Sequence, residues 1–190
     1  MSLLTIVILV AVAIVLLAIF ALVASGGIIC SGLTGKMATG AESLSPAGHV
    51  TGKALVVYDP GVTGAAKKAA TGIAGDLKSK GYKVELAGVS SAAATDVSGY
   101  DIVVVGGPMY FGKASNSIEA YLKGLTLQNH VKLGVFGTTG SNDFVASDLT
   151  SLESQVASIQ NRKAEVRLIG DRDENKAALG CRDLVAVVTQ

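Results

Sequence analysis

YDIVVVGGPMYFGKAS, residues 100–115, decides the fold. Within it DIVVVGG (101–107) places Ile102, Val103, Val104 and Val105 in one unbroken apolar run. A strand covered on one face alternates apolar and polar residues. An unbroken run is the pattern of a strand covered on both faces, as in a parallel sheet packed between helices. The run ends in Gly106, Gly107 and Pro108, and an aromatic pair, a glycine and a serine follow. SNSIEAYLKGL (115–125) then has helical spacing, with Ile118, Tyr121 and Leu122 on one face.

Working outward, the same alternation of elements repeats. ALVVYD (54–59) is a short apolar strand closed by a Pro-Gly turn. AAKKAATGIAGDLKSKGY sets Ala66, Ala69, Ala70, Ile73 and Leu77 at helical spacing and ends at Gly81, a C-cap residue. KVELAGV (83–89), VKLGVFG (131–137) and AEVRLIG (164–170) read as further strands. SDLTSLESQVASI (147–159) reads as a helix with Ser147 as its N-cap, and a last helix starts near Asp173 and runs toward Val187. Five strands alternating with helices predict a doubly wound α/β domain over residues 53–190, built on a parallel sheet. Ligands of such folds bind at the carboxyl ends of the strands.

Three loops fall at those ends. In the first (58–70), Gly61, Val62, Thr63 and Gly64 lead into Ala65 and Ala66 at a helix N-terminus. Backbone N–H groups and the helix dipole suit such a place to a phosphate; a plain strand-to-helix turn is the simpler alternative. In the second (106–115), Pro108 and Met109 precede Tyr110, Phe111 and Gly112. The two aromatic rings either stack on a flat heterocycle or cover the sheet edge. In the third (136–144), Thr138, Thr139, Gly140 and Asn142 offer polar groups to a ring edge, and Phe144 packs inward.

The amino-terminal part is different in kind. No charged side chain precedes Lys36, and residues 3–24 read LLTIVILVAVAIVLLAIFALVA. About 20 apolar residues cross a bilayer as a helix, so residues 1–24 are expected to form one transmembrane anchor contacting lipid through 3–24. A cleaved signal would carry a basic n-region and a shorter apolar core. A lipid-modified Cys30 would need a smaller neighbour than Ile29. Residues 25–52, rich in Gly, Ser, Ala and Thr, read as a flexible linker with a reach of roughly 30 Å. Lys36, Lys53, Lys67 and Lys68 follow the span and none precedes it, so the carboxyl-terminal domain is expected on the cytoplasmic side of a single-pass cell-membrane protein. A formal charge of +1 argues against a nucleic-acid partner. Cys30 and Cys181 share no zinc-type spacing and His49 and His130 are isolated, so no metal site is expected.

VVYDPGVTGAAKKAA, YDIVVVGGPMYFGKAS and GVFGTTG, in that order and at these spacings, resemble the flavodoxin-like domain family. The pattern GxPxYFGxxS after the third strand is its most specific element. The resemblance implies a five-stranded parallel sheet in the order 2-1-3-4-5, with FMN held at the three loops. Its phosphate would lie at residues 61–66, and its ring between Pro108–Gly112 and Thr138, Thr139, Gly140 and Asn142. It implies electron transfer to or from a membrane redox complex, with no catalytic acid or base. Alternatives are an accessory subunit of a membrane complex with weakened FMN binding, and a quinone reductase or protoporphyrinogen dehydrogenase. The chain departs from the family's Thr/Ser-x-Thr-Gly-x-Thr loop, because Gly61 and Ala66 replace the two outer hydroxyl residues. Each lost charge-assisted bond costs about 1.5–3 kcal/mol, so Thr at both positions is expected to tighten FMN binding.

Overall fold

The computed structural model describes Leu17 and residues 38–141 and 145–190. The expected anchor, Leu17 apart, lies outside the described residues, as do Asn142 and Phe144 of the third loop. Among the described residues no helix is long and apolar enough to cross a membrane.

Residues Met37–Gln190 form one unit. Its elements are β1 (Ala41–Leu44), β2 (Gly52–Tyr58), α1 (Ala65–Ser79), β3 (Tyr82–Gly88), β4 (Ile102–Tyr110), β5 (Lys113–Ala114), α2 (Asn116–Gly124), β6 (Lys132–Thr139), α3 (Ala146–Gln160), β7 (Glu165–Gly170) and α4 (Glu174–Val188). The sheet runs β1-β3-β2-β4-β6-β7, and β5 pairs with β4. The strands β3-β2-β4-β6-β7 are parallel to their neighbours. Counted among themselves, they stand in the expected order 2-1-3-4-5.

Their apolar runs are explained by the layers. Ala54 and Val56 of β2 face α1 and α4, in a core with Ile73, Leu77, Phe136 and Leu184. Leu55 and Val57 face α2 and α3, among Val103, Ile118, Leu122, Leu152 and Val156. Both faces are dry, so neither tolerates alternation.

Three expectations need correction. The sheet has seven strands, not five. The linker expected over 25–52 is too long, because Ala41–Leu44 pairs antiparallel with β3 and Gly52 opens β2. The AESL quartet has no apolar face; it adds to the sheet through its backbone. The Gly88 and Ser90 N–H groups donate to the Gly40 and Ala38 carbonyls at 2.8 and 3.0 Å. A Cβ on Gly88 would lie 2.0 Å from the Ala38 oxygen, so only glycine admits this approach. Ser147 does not cap α3: the helix starts at Ala146, with Val145 in the cap position and no side-chain cap. Asp173 does cap α4, its carboxylate accepting from the Asn175 and Lys176 N–H groups. Gly81 (φ 92) follows the Lys80 cap of α1, as expected.

Packing of α1 on α4 buries Cys181, whose thiol donates to the Ala69 carbonyl at 3.6 Å. Burial first, and then the Asp76 carboxylate, pushes that thiol up from 9.0 to about 11. A neutral buried thiol is a poor nucleophile. In a Cys30→Ser protein, Cys181 is expected to resist a disulfide reagent at pH 8 until urea unfolds the chain; rapid labelling of the native protein would contradict this. The unfolded chain loses its thiol proton first, so Cys181 contributes no pH dependence below about 9 and lowers stability as pH rises from there toward 11.

Candidate functional site

At the end of β2 the chain turns on Asp59. This residue is only 6% exposed and faces the α2 side of the sheet. One carboxylate oxygen accepts the Gly61 N–H at 3.0 Å, the two-residue reach of an Asx turn. The other accepts from the Ser115 hydroxyl at 2.9 Å and from the Ser117 hydroxyl. The two serine oxygens are 3.0 Å apart. One carboxylate thus ties the first loop to the start of α2, with three neutral donors and no ion pair among the described residues.

Gly61 (φ 63) lies against the second loop: a Cβ there would meet the Pro108 ring at 2.9 Å. Val62 and Thr63 are exposed. Gly64, at φ 75, occupies the N-cap of α1 without a side-chain cap, and no acidic residue stands in the first turn. Thr63 Oγ1 accepts the Ala65 N–H at a long 3.4 Å. The N-terminal N–H groups of a helix have no partners within it, and nothing lies within 4 Å of where a Cβ on Gly64 would be. The mouth of α1 is therefore open and electropositive. Ala66, by contrast, is fully buried in the core and faces away from that mouth.

The second loop is a tight hairpin. Tyr110 pairs with Lys113, and between them Phe111 (φ 52) and Gly112 (φ 76) both take left-handed conformations. Two positive φ angles define a type I′ turn, whose preferred residues are Asn-Gly. Phenylalanine there costs about 1–2 kcal/mol. Helix α3 braces the turn: Ser151 donates to the Gly112 carbonyl at 2.8 Å, and the Ala114 N–H donates to Gln155 at 3.0 Å. The Phe111 side chain is fully exposed, while Tyr110 is 47% exposed. Met109 lies over Gly137, where a Cβ would meet its Cγ at 2.6 Å. Phe111→Asn is expected to stabilise the protein by about 1 kcal/mol in urea denaturation, by relieving the left-handed Phe; a loss of stability would mean that the ring packs on its own chain.

The third loop joins through the sheet. Thr138 stands beside Pro108 in the β4–β6 register and is buried. Thr139 turns back on its own loop, accepting the Ser141 N–H at 3.2 Å and donating to the Ser141 carbonyl at 3.0 Å. Gly140 is exposed.

Between α1 and α4, over the ends of β6 and β7, lies a groove of about 440 Å³. That is within the size range of small-molecule sites. Thr63, Gly64, Ala65 and Thr138 line it, as the sequence predicts for a site. Lys68, near the start of α1, also lines it, as do Asp171, Glu174 and Cys181, three residues that were not expected there. Lys68 forms an ion pair with Glu174 at the rim, and its ammonium holds that carboxyl below the ordinary range. Val62, Pro108, Met109, Tyr110, Phe111 and Gly112 stand outside the groove on the same edge of the sheet. Asp59, Ser115 and Ser117 were also missed. The Asp-Pro-Gly turn marks Asp59 and Ser115 closes the GxPxYFGxxS pattern, but no local signal joins the two or points to Ser117.

No family model and no curated protein matches this chain. Solved structures do. Oxidised flavodoxin 1 from Bacillus cereus aligns at a TM-score of 0.55 with 16% identity, over 72% of this chain and 96% of that one. A Streptococcus pneumoniae flavodoxin aligns at 0.52 with 20% identity, over 72% and 97%. Rubredoxin oxygen:oxidoreductase from Desulfovibrio gigas aligns at 0.52 with 16% identity, over 74% of this chain and 37% of that one. At such identities the likeness is one of fold, and the domain of this chain has the flavodoxin-like α/β fold.

Proposed function

We propose that this protein is a membrane-tethered flavodoxin-like redox protein that holds FMN at the carboxyl edge of its sheet and exchanges electrons with a membrane complex. The observation carrying this reading is the convergence of the uncapped mouth of α1, Pro108 and Thr138 where the strand order reverses, the place where doubly wound folds bind ligands. The residues fit the cofactor in kind. The Gly64–Ala65 backbone would take the phosphate at the open helix mouth, with the Thr63 hydroxyl beside it. Thr138 and the Pro108–Tyr110 strand end would border the remainder. FMN when bound supplies the redox chemistry, taking up and releasing electrons singly or in pairs. The protein binds, orients and shields it. Residues 3–24 would anchor the chain in the cell membrane, with the domain on the cytoplasmic side.

A second reading, an accessory subunit of a membrane complex with weak FMN binding, is favoured by one observation. The Gly61 N–H, which a phosphate would otherwise use, is already bound by the Asp59 carboxylate.

The test is a visible absorption titration of detergent-purified full-length protein with FMN. A shifted and quenched flavin spectrum with saturable binding is the expected result. An unchanged spectrum at saturating FMN would overturn the redox reading and leave the accessory subunit.

A further inference from the structure

We propose that the carboxyl edge of the sheet faces the lipid bilayer, with the Phe111 hairpin seated in the membrane interface. This rests on the anchor reading given above. The first observation is the course of β1. Ala41 pairs with Ala87 and Leu44 with Val84, so the strand starts at the end where β3 finishes. Just upstream, Ala38 is buried and its carbonyl takes the Ser90 N–H. The chain therefore comes into the domain at the carboxyl edge, the edge that carries the candidate site. Between the apolar stretch and Ala38 stand only residues 25–37. A coil such as their composition predicts reaches about 20 Å. On the anchor reading, entry of the chain at this edge would turn it, rather than the opposite one, toward the lipid.

The second observation is what the edge displays. In Met37–Gln190 the large apolar side chains left exposed among the described residues are Val50, Val62, Tyr110, Phe111, Val145 and Leu179. Four of these, Val62, Tyr110, Phe111 and Val145, lie on the loops of this edge and come from three separate chain segments. Phe111 is the most exposed of them and has a left-handed backbone in a hairpin braced by α3. Strain maintained at a fully exposed aromatic tip marks a contact made outside the chain. Lys67 and Lys113 are exposed close by. Apolar and aromatic tips with lysines that reach back to the headgroups suit a bilayer interface.

The chain contains no tryptophan, so one introduced residue reports alone. Full-length Phe111→Trp protein would be reconstituted into phosphatidylcholine–phosphatidylglycerol vesicles with and without brominated acyl chains. Its emission is expected to shift to the blue and to lose most of its intensity with brominated lipid. Val145→Trp should behave likewise, should the hairpin variant fold poorly. His130→Trp, in the turn ahead of β6 at the opposite edge, should keep its intensity. Unquenched Phe111→Trp and Val145→Trp emission, in protein that stays with vesicles through an alkaline carbonate wash, would overturn the orientation alone. A blue shift without quenching would mean that the tip meets protein instead, and would also overturn it. Protein removed by the wash would refute the anchor, and the orientation with it.

Discussion

Asp59→Ala is expected to destabilise the domain by about 3 kcal/mol, because it strips a buried cluster of its common acceptor. The Gly61 N–H and the Ser115 and Ser117 hydroxyls converge on that one carboxylate. Removing it leaves the buried Gly61 N–H and one serine hydroxyl without an acceptor, since the two serines can then bond only each other, and each orphaned donor costs its desolvation. The damage is also geometric. Asp59 is the polar tie between the loop ahead of α1 and the start of α2, so the first two loops of the site lose their common fastening. Asp59→Asn keeps an acceptor oxygen and nearly the same shape, and its loss is expected to be smaller, about 1 kcal/mol. It also removes a negative charge from the loop that leads into α1. Urea denaturation measures the stability of both variants, and an FMN titration separates charge from shape. If Asp59→Asn binds FMN more tightly than the parent, the carboxylate opposes the phosphate. If Asp59→Ala is as stable as the parent, the cluster does not hold the loops.

The second large effect reverses an expectation drawn from the family pattern. Thr at Gly61 and at Ala66 restores the outer hydroxyls of a phosphate loop and is expected, on sequence alone, to tighten binding. The structure reverses that expectation at both positions. Gly61 has a φ of 63, and its missing Cβ would stand 2.9 Å from the Pro108 ring. A β-branched residue there is strained by its own backbone and by that ring. Ala66 is completely buried beneath α1. Threonine there overfills a packed site and buries a hydroxyl without a partner. The double variant is expected to lose at least about 3 kcal/mol of stability and to bind FMN more weakly. The single variants measured beside it show whether the two costs add, as separate neighbours predict. A double variant that is stable and binds more tightly would restore the family logic.

That reversal shows where sequence reasoning stops. The central strands were legible because both faces of Ile102–Val105 are buried, and burial on two faces leaves no room for polar residues. The order of the parallel strands followed from the resemblance. The edge strand Ala41–Leu44 was not legible, because backbone bonds hold it and only the half-buried Leu44 packs against the core, the other three side chains being exposed. The Asp59 cluster escaped for another reason: its serine partners lie 56 and 58 residues away, beyond any local pattern. In the first loop the residue types were visible but their directions were not. Thr63 and Gly64 flank the open helix mouth, whereas Ala66, two residues on, points into the core. Phe111 reads as a ring that stacks on a ligand or covers the sheet edge, and phenylalanine gives no hint that it occupies a turn position suited to asparagine.

The antiparallel course of β1 has a mechanical meaning. Any force on the chain ahead of Ala38, directed away from the carboxyl edge, runs along the axis of β1. Hydrogen bonds between paired strands lie across that axis, so the bonds to β3 share the load in shear instead of opening one at a time as in a zipper. A four-residue strand loaded in this way is a short clasp: it resists steady tugging on the leading segment and shields the five parallel strands from it until the clasp gives way as a whole.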